Sequence, residues 1–251
     1  MTIEETARPA IRTVDLTKVY KDTVAVDHLD LEIRDGELFS LLGVNGAGKT
    51  TTIKMLSTLT APTSGEAYIY GINVARDPVK IKELVDISMQ ETAVARKLTV
   101  EENVEFYARL SGQTKDEIEA SKKYVYAAFG LEQVAKKQAA KLSGGWQRKL
   151  SIALALVSKP KILFLDEPTL GLDVIARREL WKTIRELKSQ MTIILTTHYM
   201  EEAEALSDRI GVMKAGKLLF TGTKDELFAQ TGKTSVEDAF IEIVAGGESD
   251  A

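Results

Sequence analysis

Two stretches of this chain carry residue types at spacings that can handle a phosphate ester. The first is Gly43-Val44-Asn45-Gly46-Ala47-Gly48-Lys49-Thr50-Thr51. Gly43, Gly48, Lys49 and Thr50 fit G-x-x-x-x-G-K-[ST], the phosphate-binding loop. Glycines let the backbone curl until successive N–H groups point into one hollow. A helix starting at the same point adds its positive dipole end. Lys49 supplies a full charge near the outer phosphates, and the Thr50 hydroxyl can ligate Mg²⁺. The second stretch is the apolar run Lys161-Ile162-Leu163-Phe164-Leu165, which ends in Asp166-Glu167-Pro168-Thr169. Two adjacent carboxylates at the carboxyl end of a central parallel strand lie where α/β sheets bind ligands. Beside a phosphate loop, Asp166 is placed to meet Mg²⁺ directly or one shell out, and Glu167 to act as general base for a water.

Four further positions are ambiguous when read singly. Ser143, in Leu142-Ser143-Gly144-Gly145, is a good N-cap. Gly144 and Gly145 leave the first N–H groups of the following helix uncovered, so the stretch reads either as ordinary capping or as an anion site. His198 ends the apolar run that begins at Met191, at the correct end of a core strand to reach phosphates. Gln90 follows a short strand and reads by itself as a solvated loop residue. Tyr20, between two N-terminal strands, reads by itself as a packing tyrosine. The second histidine, His28, reads as structural.

The elements that must position these groups follow from pattern. Ile11 to Leu16 is predicted as a strand, and Leu29, Leu31 and Ile33 alternate with Asp30, Glu32 and Arg34 as in a half-exposed one. Asp35-Gly36 turns the chain into the apolar Leu38 to Leu42, so an antiparallel part precedes a parallel core. Glu66 to Tyr70 and Val85 to Met89 are predicted strands, with Val79 to Leu84 a short helix between them. From Thr99 to about Val157 only helices are predicted. Thr99-Val100-Glu101-Glu102 and Thr114-Lys115-Asp116-Glu117 both fit the capping box. Arg177 to Ser189 is an amphipathic helix, and Met191 to Thr197 a strand buried on both faces. Met200 to Leu206 is a short helix. Arg209 to Met213 and Lys217 to Phe220 form a hairpin, and Asp225 to Ala229 and Ser235 to Val244 are helices. Residues 246–251 are expected to fray.

Composition bounds the function. With 251 residues and 44% hydrophobic content, the chain can bury a full core. A net charge of −4 gives no reason to expect a nucleic-acid surface. The absence of cysteine excludes disulfides, cysteine zinc sites and thiol nucleophiles. The first residues have no secretory-signal pattern, and the longest apolar run is far too short for a membrane span.

Together these stretches resemble the nucleotide-binding subunit of ATP-binding cassette (ABC) transporters, over nearly the whole chain. The phosphate loop is similar to Walker A, Leu142 to Gly145 to the family signature, and Phe164 to Pro168 to Walker B with its catalytic glutamate. Gly171-Leu172-Asp173 resembles the D-loop, Gln90 the Q-loop, His198 the switch histidine and Tyr20 the aromatic that stacks on adenine. Within the family, Gln90-Glu91-Thr92, Thr169 to Asp173, Thr197 to Glu204 and Val236 to Phe240 resemble ATPases of the daunorubicin-resistance type. Trp146 departs from the family, which often has a polar or smaller residue there.

The resemblance implies an α/β phosphate-loop NTPase core, mainly parallel, with an antiparallel N-terminal β part and an inserted all-helical subdomain. The expected partition is one ABC ATPase domain over 1–251: core 1–90 and 159–230, helical subdomain 91–158, helical tail 231–251. ATP and Mg²⁺ are the implied cofactors. Lys49, Glu167 and His198 are implied as catalytic. Tyr20, the loop from Gly43 to Thr51, Gln90, Ser143, Gly144, Gly145 and Asp173 are implied on the nucleotide, and Thr50, Gln90 and Asp166 on the metal. The implied partners are an integral membrane permease in a separate chain and a second copy of this chain in an ATP-sandwich dimer, working on the inner face of the cell membrane to export drug- or antibiotic-like molecules. The alternative is a soluble ABC ATPase with a mechanochemical or regulatory role. Chromosome-type members need a long coiled coil between Walker A and the signature, excision-repair members need cysteine zinc sites, and ribosome-type members carry two cassettes. None of these features is present.

Overall fold

The chain alternates short apolar strands with helices, and the strands sort into two sheets by how much of each face is apolar. The computed structural model describes residues 9–246. In order, β1 is Ile11–Tyr20, β2 Thr23–Ile33, β3 Leu38–Leu42, α1 Lys49–Leu56, β4 Ser64–Ile69, β5 Ile72–Asn73, α2 Pro78–Lys82 and β6 Val85–Ser88. Then come α3 Val100–Leu110, α4 Lys115–Phe129, two single turns of 3₁₀ helix, α5 Gly144–Leu156, β7 Ile162–Asp166, α6 Val174–Lys188 and β8 Thr192–Thr197. The chain closes with α7 Met200–Leu206, β9 Arg209–Lys214, β10 Lys217–Gly222, α8 Lys224–Thr231 and α9 Val236–Gly246. The expectation that residues 246–251 fray lies, from 247 on, outside the described residues.

The alternating strands make an antiparallel sheet in the order β2-β1-β4-β5. The second sheet, with the fully buried β3, β8 and β7 at its centre, has the order β10-β9-β3-β8-β7-β6 and is parallel from β9 to β6. Side chains alternate across a strand, and the parallel strands bury both sets. Leu163, Leu165, Ile193 and Leu195 join α3 to α6 in one cluster. Phe164, Ile194, Phe39 and Leu41 face the antiparallel sheet and α1 in another. Leu42, Ile210, Val212 and Phe220 meet α7, α8 and α9 in a third.

Two N-terminal expectations need correction. β1 runs on to Tyr20 instead of stopping at Leu16, and β2 begins at Thr23 instead of Leu29. The β1–β2 ladder has irregular register between Thr13 and Val19, with Asp15 at φ 55 and His28 at φ 49. Such bulges break the period-2 pattern. Tyr20 is therefore the last residue of a strand, and His28 is an exposed surface residue hydrogen-bonded to Asp27.

Only helices lie between β6 and β7, and both capping boxes form, on Glu102 and Glu117. The segment from residue 95 to α3 is organised by Asn103, fully buried within that helix. Its side chain accepts from the Ala95 N–H at 2.8 Å and donates to the carbonyls of Ala95 at 3.1 Å and Thr99 at 2.8 Å. Asn103→Leu keeps the volume and strands the Ala95 N–H, while the Ala95 and Thr99 carbonyls keep the N–H groups of Leu98 and Asn103, so it is expected to cost about 1–3 kcal/mol. A lowered urea midpoint at unchanged m-value checks this, and wild-type stability would show that water replaces the asparagine at no cost.

Candidate active site

Parallel pairing brings four strand ends to one edge of the core sheet. Leu42 pairs with Thr197, and Asp166 with Thr196. The loop after β3, the carboxylates at the end of β7, His198 after β8 and Gln90 after β6 are therefore neighbours. The loop closes by backbone bonds: the Ala47 N–H donates to the Val44 carbonyl at 3.2 Å, and the Gly216 N–H to the Ala47 carbonyl at 3.0 Å. Gly48 caps α1 at φ 105, and a Cβ there would lie 2.5 Å from the Ala25 carbonyl, so no other residue fits. No side chain caps α1, which leaves its N-terminal N–H groups for an anion.

A cavity of about 580 Å³ joins these pieces. Its walls are Asn45, Gly46, Ala47, Gly48, Lys49, Thr50 and Thr51, then Gln90, Glu167, Leu170 and His198, with Thr23, Val24 and Ala25 from the antiparallel sheet. The Lys49 ammonium donates to the carbonyls of Gly43 at 2.6 Å and Val44 at 3.2 Å, and lies 3.3 Å from a Glu167 oxygen. The other Glu167 oxygen meets His198 Nδ1 at 2.7 Å. Behind them Asp166, 1% exposed, accepts from the Thr50 hydroxyl at 2.9 and 3.1 Å and from the Thr196 hydroxyl at 2.6 Å. A hydroxyl, a carboxylate and the amide of Gln90 form a hard oxygen set that suits Mg²⁺ sharing a substrate's phosphate oxygens. Among the described residues no group of three or more His, Cys, Asp or Glu could hold a metal by itself.

Glu167 has φ 48. That left-handed conformation costs a non-glycine residue about 1–3 kcal/mol and persists only where neighbours over-determine it. Its N–H donates to both the carbonyl and the hydroxyl of Thr196, each at 3.1 Å. Its carbonyl accepts from Arg148 and from the Leu170 N–H, each at 3.2 Å.

Other sequence-predicted residues lie apart from the cavity. Tyr20 does not line it; Lys18 sits over its ring at 4.9 Å. Ser143, Gly144 and Gly145 open α5, and the Ser143 hydroxyl makes no capping bond in that helix. Asp173 caps α6, accepting from the N–H groups of Ile175 at 2.9 Å and Ala176 at 3.0 Å. A Cβ on Gly145 would meet the Ala176 side chain at 3.3 Å, so these two helix starts adjoin. A further hollow of about 640 Å³, lined by Asp35, Tyr70, Lys161, Arg185 and Lys188 among others, lies at the opposite, amino-terminal edge of the core strands.

The sequence reading missed Thr196, Arg148 and Glu202. Each is a buried polar side chain; Thr196, after the apolar Ile193-Ile194-Leu195, had a signal in the sequence, whereas Arg148 and Glu202 lie among polar neighbours and had none. Glu202 is fully buried; one oxygen accepts from the Thr169 hydroxyl at 2.8 Å and the Trp181 indole N–H at 2.9 Å, and the other has no partner among the described residues.

Comparison with known proteins agrees with this geometry. Residues 26–170 match the family model described as ABC transporter. The human phospholipid-transporting ATPase ABCA3 is 43% identical over 217 residues, which cover 85% of this chain and 13% of that protein. The daunorubicin/doxorubicin resistance ATP-binding protein DrrA of Streptomyces peucetius is 39% identical over 224 residues, 89% of this chain and 68% of that one. A solved ATP-binding subunit of an ABC transporter superposes with a TM-score of 0.83 at 28% identity, covering 94% of this chain and 99% of that one.

Burial pushes the Glu202 carboxyl above its ordinary range. A carboxyl raised on folding holds more protons folded than unfolded, so its contribution to stability is complete below the ordinary carboxylate range and is lost as pH rises from there through the raised folded value. Glu202→Gln keeps an acceptor for Thr169 and Trp181 without this loss. The variant's urea midpoint is therefore expected to gain on wild type as pH rises from 5 to 8. A difference that does not change with pH would mean that Glu202 is charged throughout.

Proposed function

Because the chain belongs to the ABC transporter family, we propose that it is the ATP-hydrolysing subunit that drives a separate membrane permease. The observation that carries this reading is the single cavity in which the Lys49 ammonium, the Glu167 carboxylate, His198, Gln90 and the start of α1 converge, with Thr50 tied to Asp166. Water attacks the γ-phosphate, and the bond to the β-phosphate oxygen breaks. Glu167 takes the water's proton, and His198 holds the carboxylate in line and reaches the γ-phosphate. Lys49 turns from its carbonyls to the β- and γ-oxygens. Mg²⁺, held through Thr50, Asp166 and Gln90, would neutralise phosphate charge. The protein supplies positioning and electrostatics more than covalent chemistry.

The remaining assignments follow from the same reading. The core is residues 1–90 and 159–230, the helical subdomain 91–158 and the tail 231–251. Tyr20 is assigned to the adenine. The permease docks from Gln90 to about Arg109, at the inner face of the membrane; among the described residues no helix is long and apolar enough to cross one. The cargo is a drug- or antibiotic-like molecule, after the resistance-protein relative. The phospholipid-transporting relative favours a lipid cargo as a second reading. Transport of a labelled anthracycline against a labelled phospholipid, with the permease in vesicles, separates the two.

The active species is a head-to-tail dimer, because the Ser143 hydroxyl and the Gly144–Gly145 helix start are outside the cavity that holds Lys49. Each composite site then takes Lys49 from one chain and Ser143 from the other.

Glu167→Gln is expected to bind ATP as wild type does and to hydrolyse it roughly 10²–10⁴-fold more slowly, the usual contribution of a general base. Loss of ATP binding together with turnover would make Glu167 structural. For the dimer, Lys49→Ala and Gly144→Asp are each expected to be nearly inactive alone. A Cβ at Gly144 meets nothing within 4 Å, so the fold tolerates the second variant. A mixed dimer gathers both lesions in one site and leaves the other intact, so mixing should restore about half the activity per heterodimer if sites act independently. The chain has no cysteine, so an ATP-dependent disulfide between Asn45→Cys on one chain and Ser143→Cys on the other is a direct check. A dead mixture without that crosslink sinks the composite site.

A further inference from the structure

A guanidinium with a very small share of its surface in water normally faces a carboxylate; that of Arg148 does not. Arg148 projects from α5, one turn after Gly144, and is 4% exposed. It has no ion pair within 4 Å among the described residues, and its donors go to three backbone carbonyls. Nη1 donates to Met89 at 2.7 Å, and Nη2 to Gln90 at 2.8 Å and to Glu167 at 3.2 Å. Burial draws its pKa down, while the carboxylates of Asp166, Glu202 and Glu167 oppose that shift. One planar fork thus ties three chain segments that are distant in sequence: the Gln90 loop, the first turns of α5 and the peptide after Glu167.

We infer that Arg148 is a positioning residue for hydrolysis, acting through Glu167. This rests on the hydrolytic reading above. The left-handed backbone of Glu167 is pinned at its N–H by Thr196 and at its carbonyl by two donors, the Arg148 guanidinium and the Leu170 N–H, each at 3.2 Å. Without Arg148 the carbonyl keeps only the local turn bond from Leu170 and loses its tether to α5, so the peptide is free to relax toward the ordinary region. The carboxylate then leaves the 2.7 Å contact with His198 that sets its aim. Lysine cannot reproduce the link, because an ammonium is a single point and lacks the fork. Arg148 does not line the cavity, so it influences turnover without touching the nucleotide. The same three bonds let a displacement of the Gln90 loop or of α5 register on Glu167.

A double-mutant cycle separates this role from plain structural support. Arg148→Met is nearly isosteric and has no donors. In the wild-type background it is expected to lower kcat by about 10–100-fold, the scale of a misplacement near 1 Å, with KM and fluorescent-ATP affinity changed less than about threefold. In the Glu167→Gln background, measured by single turnover of labelled ATP, the same substitution is expected to change the rate by less than about threefold, since the group it aims is gone. Equal fold losses in both backgrounds would overturn the inference, as would loss of ATP binding along with turnover. If Arg148→Met is insoluble, the cycle is run with Arg148→Lys, which keeps the charge; its loss in kcat must likewise vanish with Glu167→Gln. A wild-type protein with no turnover overturns the hydrolytic reading itself, before any variant is compared.

Discussion

In-register parallel pairing of β3, β8 and β7 is the constraint on which the rest depends. Strands that run the same way must end at the same edge, and each of these ends on a residue that leads directly into chemistry. Leu42 opposite Thr197 sets the phosphate loop beside His198, and Asp166 opposite Thr196 sets the carboxylates beside both. A slip of one residue would exchange the two faces of a strand. It would set Phe164 against the helices and Leu163 and Leu165 against the antiparallel sheet. Register is therefore fixed by core packing, and the site inherits its precision from apolar residues that never touch a substrate.

The polar groups at this edge are arranged so that few of them are idle. Lys49 is shared between two carbonyls and Glu167, Glu167 between Lys49 and His198, and Asp166 between Thr50 and Thr196. Breaking a buried ion pair by removing one partner is costly, because it leaves a charge uncompensated. An incoming polyphosphate does not do that. In the proposed function it brings its own negative charge to Lys49 and frees Glu167 for a water, so binding and the arming of the proposed base would be one exchange of partners.

Much of this was legible in the sequence because it is local. The phosphate loop, the Asp166–Glu167 pair, the two capping boxes and the apolar core strands are contiguous signals, and each lies where the pattern put it. Failures came where local pattern and tertiary setting part. Irregular pairing around Asp15 hid the length of β1. Val174 and Ile175, 56% and 73% exposed, hid the first turn of α6 because apolar residues outside the core look like the end of a helix's buried stripe. The cavity walls at Thr23, Val24 and Ala25 carry no chemical signature, and only folding brings them opposite the phosphate loop.

The residues that connect the site to its supports could be found only by a different rule. Thr196, Arg148 and Glu202 are polar side chains that fold into the interior. A polar group in such a place is unfavourable unless its bonds are made, and its partners must come from distant parts of the chain because its own helix or strand has already satisfied its backbone. Thr196 reaches β7, Arg148 reaches the Gln90 loop and Glu167, and Glu202 reaches Thr169 and Trp181. Motifs therefore locate the chemistry, and buried polar exceptions locate what holds it in place. These three exceptions converge on the segment from Asp166 to Thr169, the part of the chain where a small displacement would most change the aim of the Glu167 carboxylate.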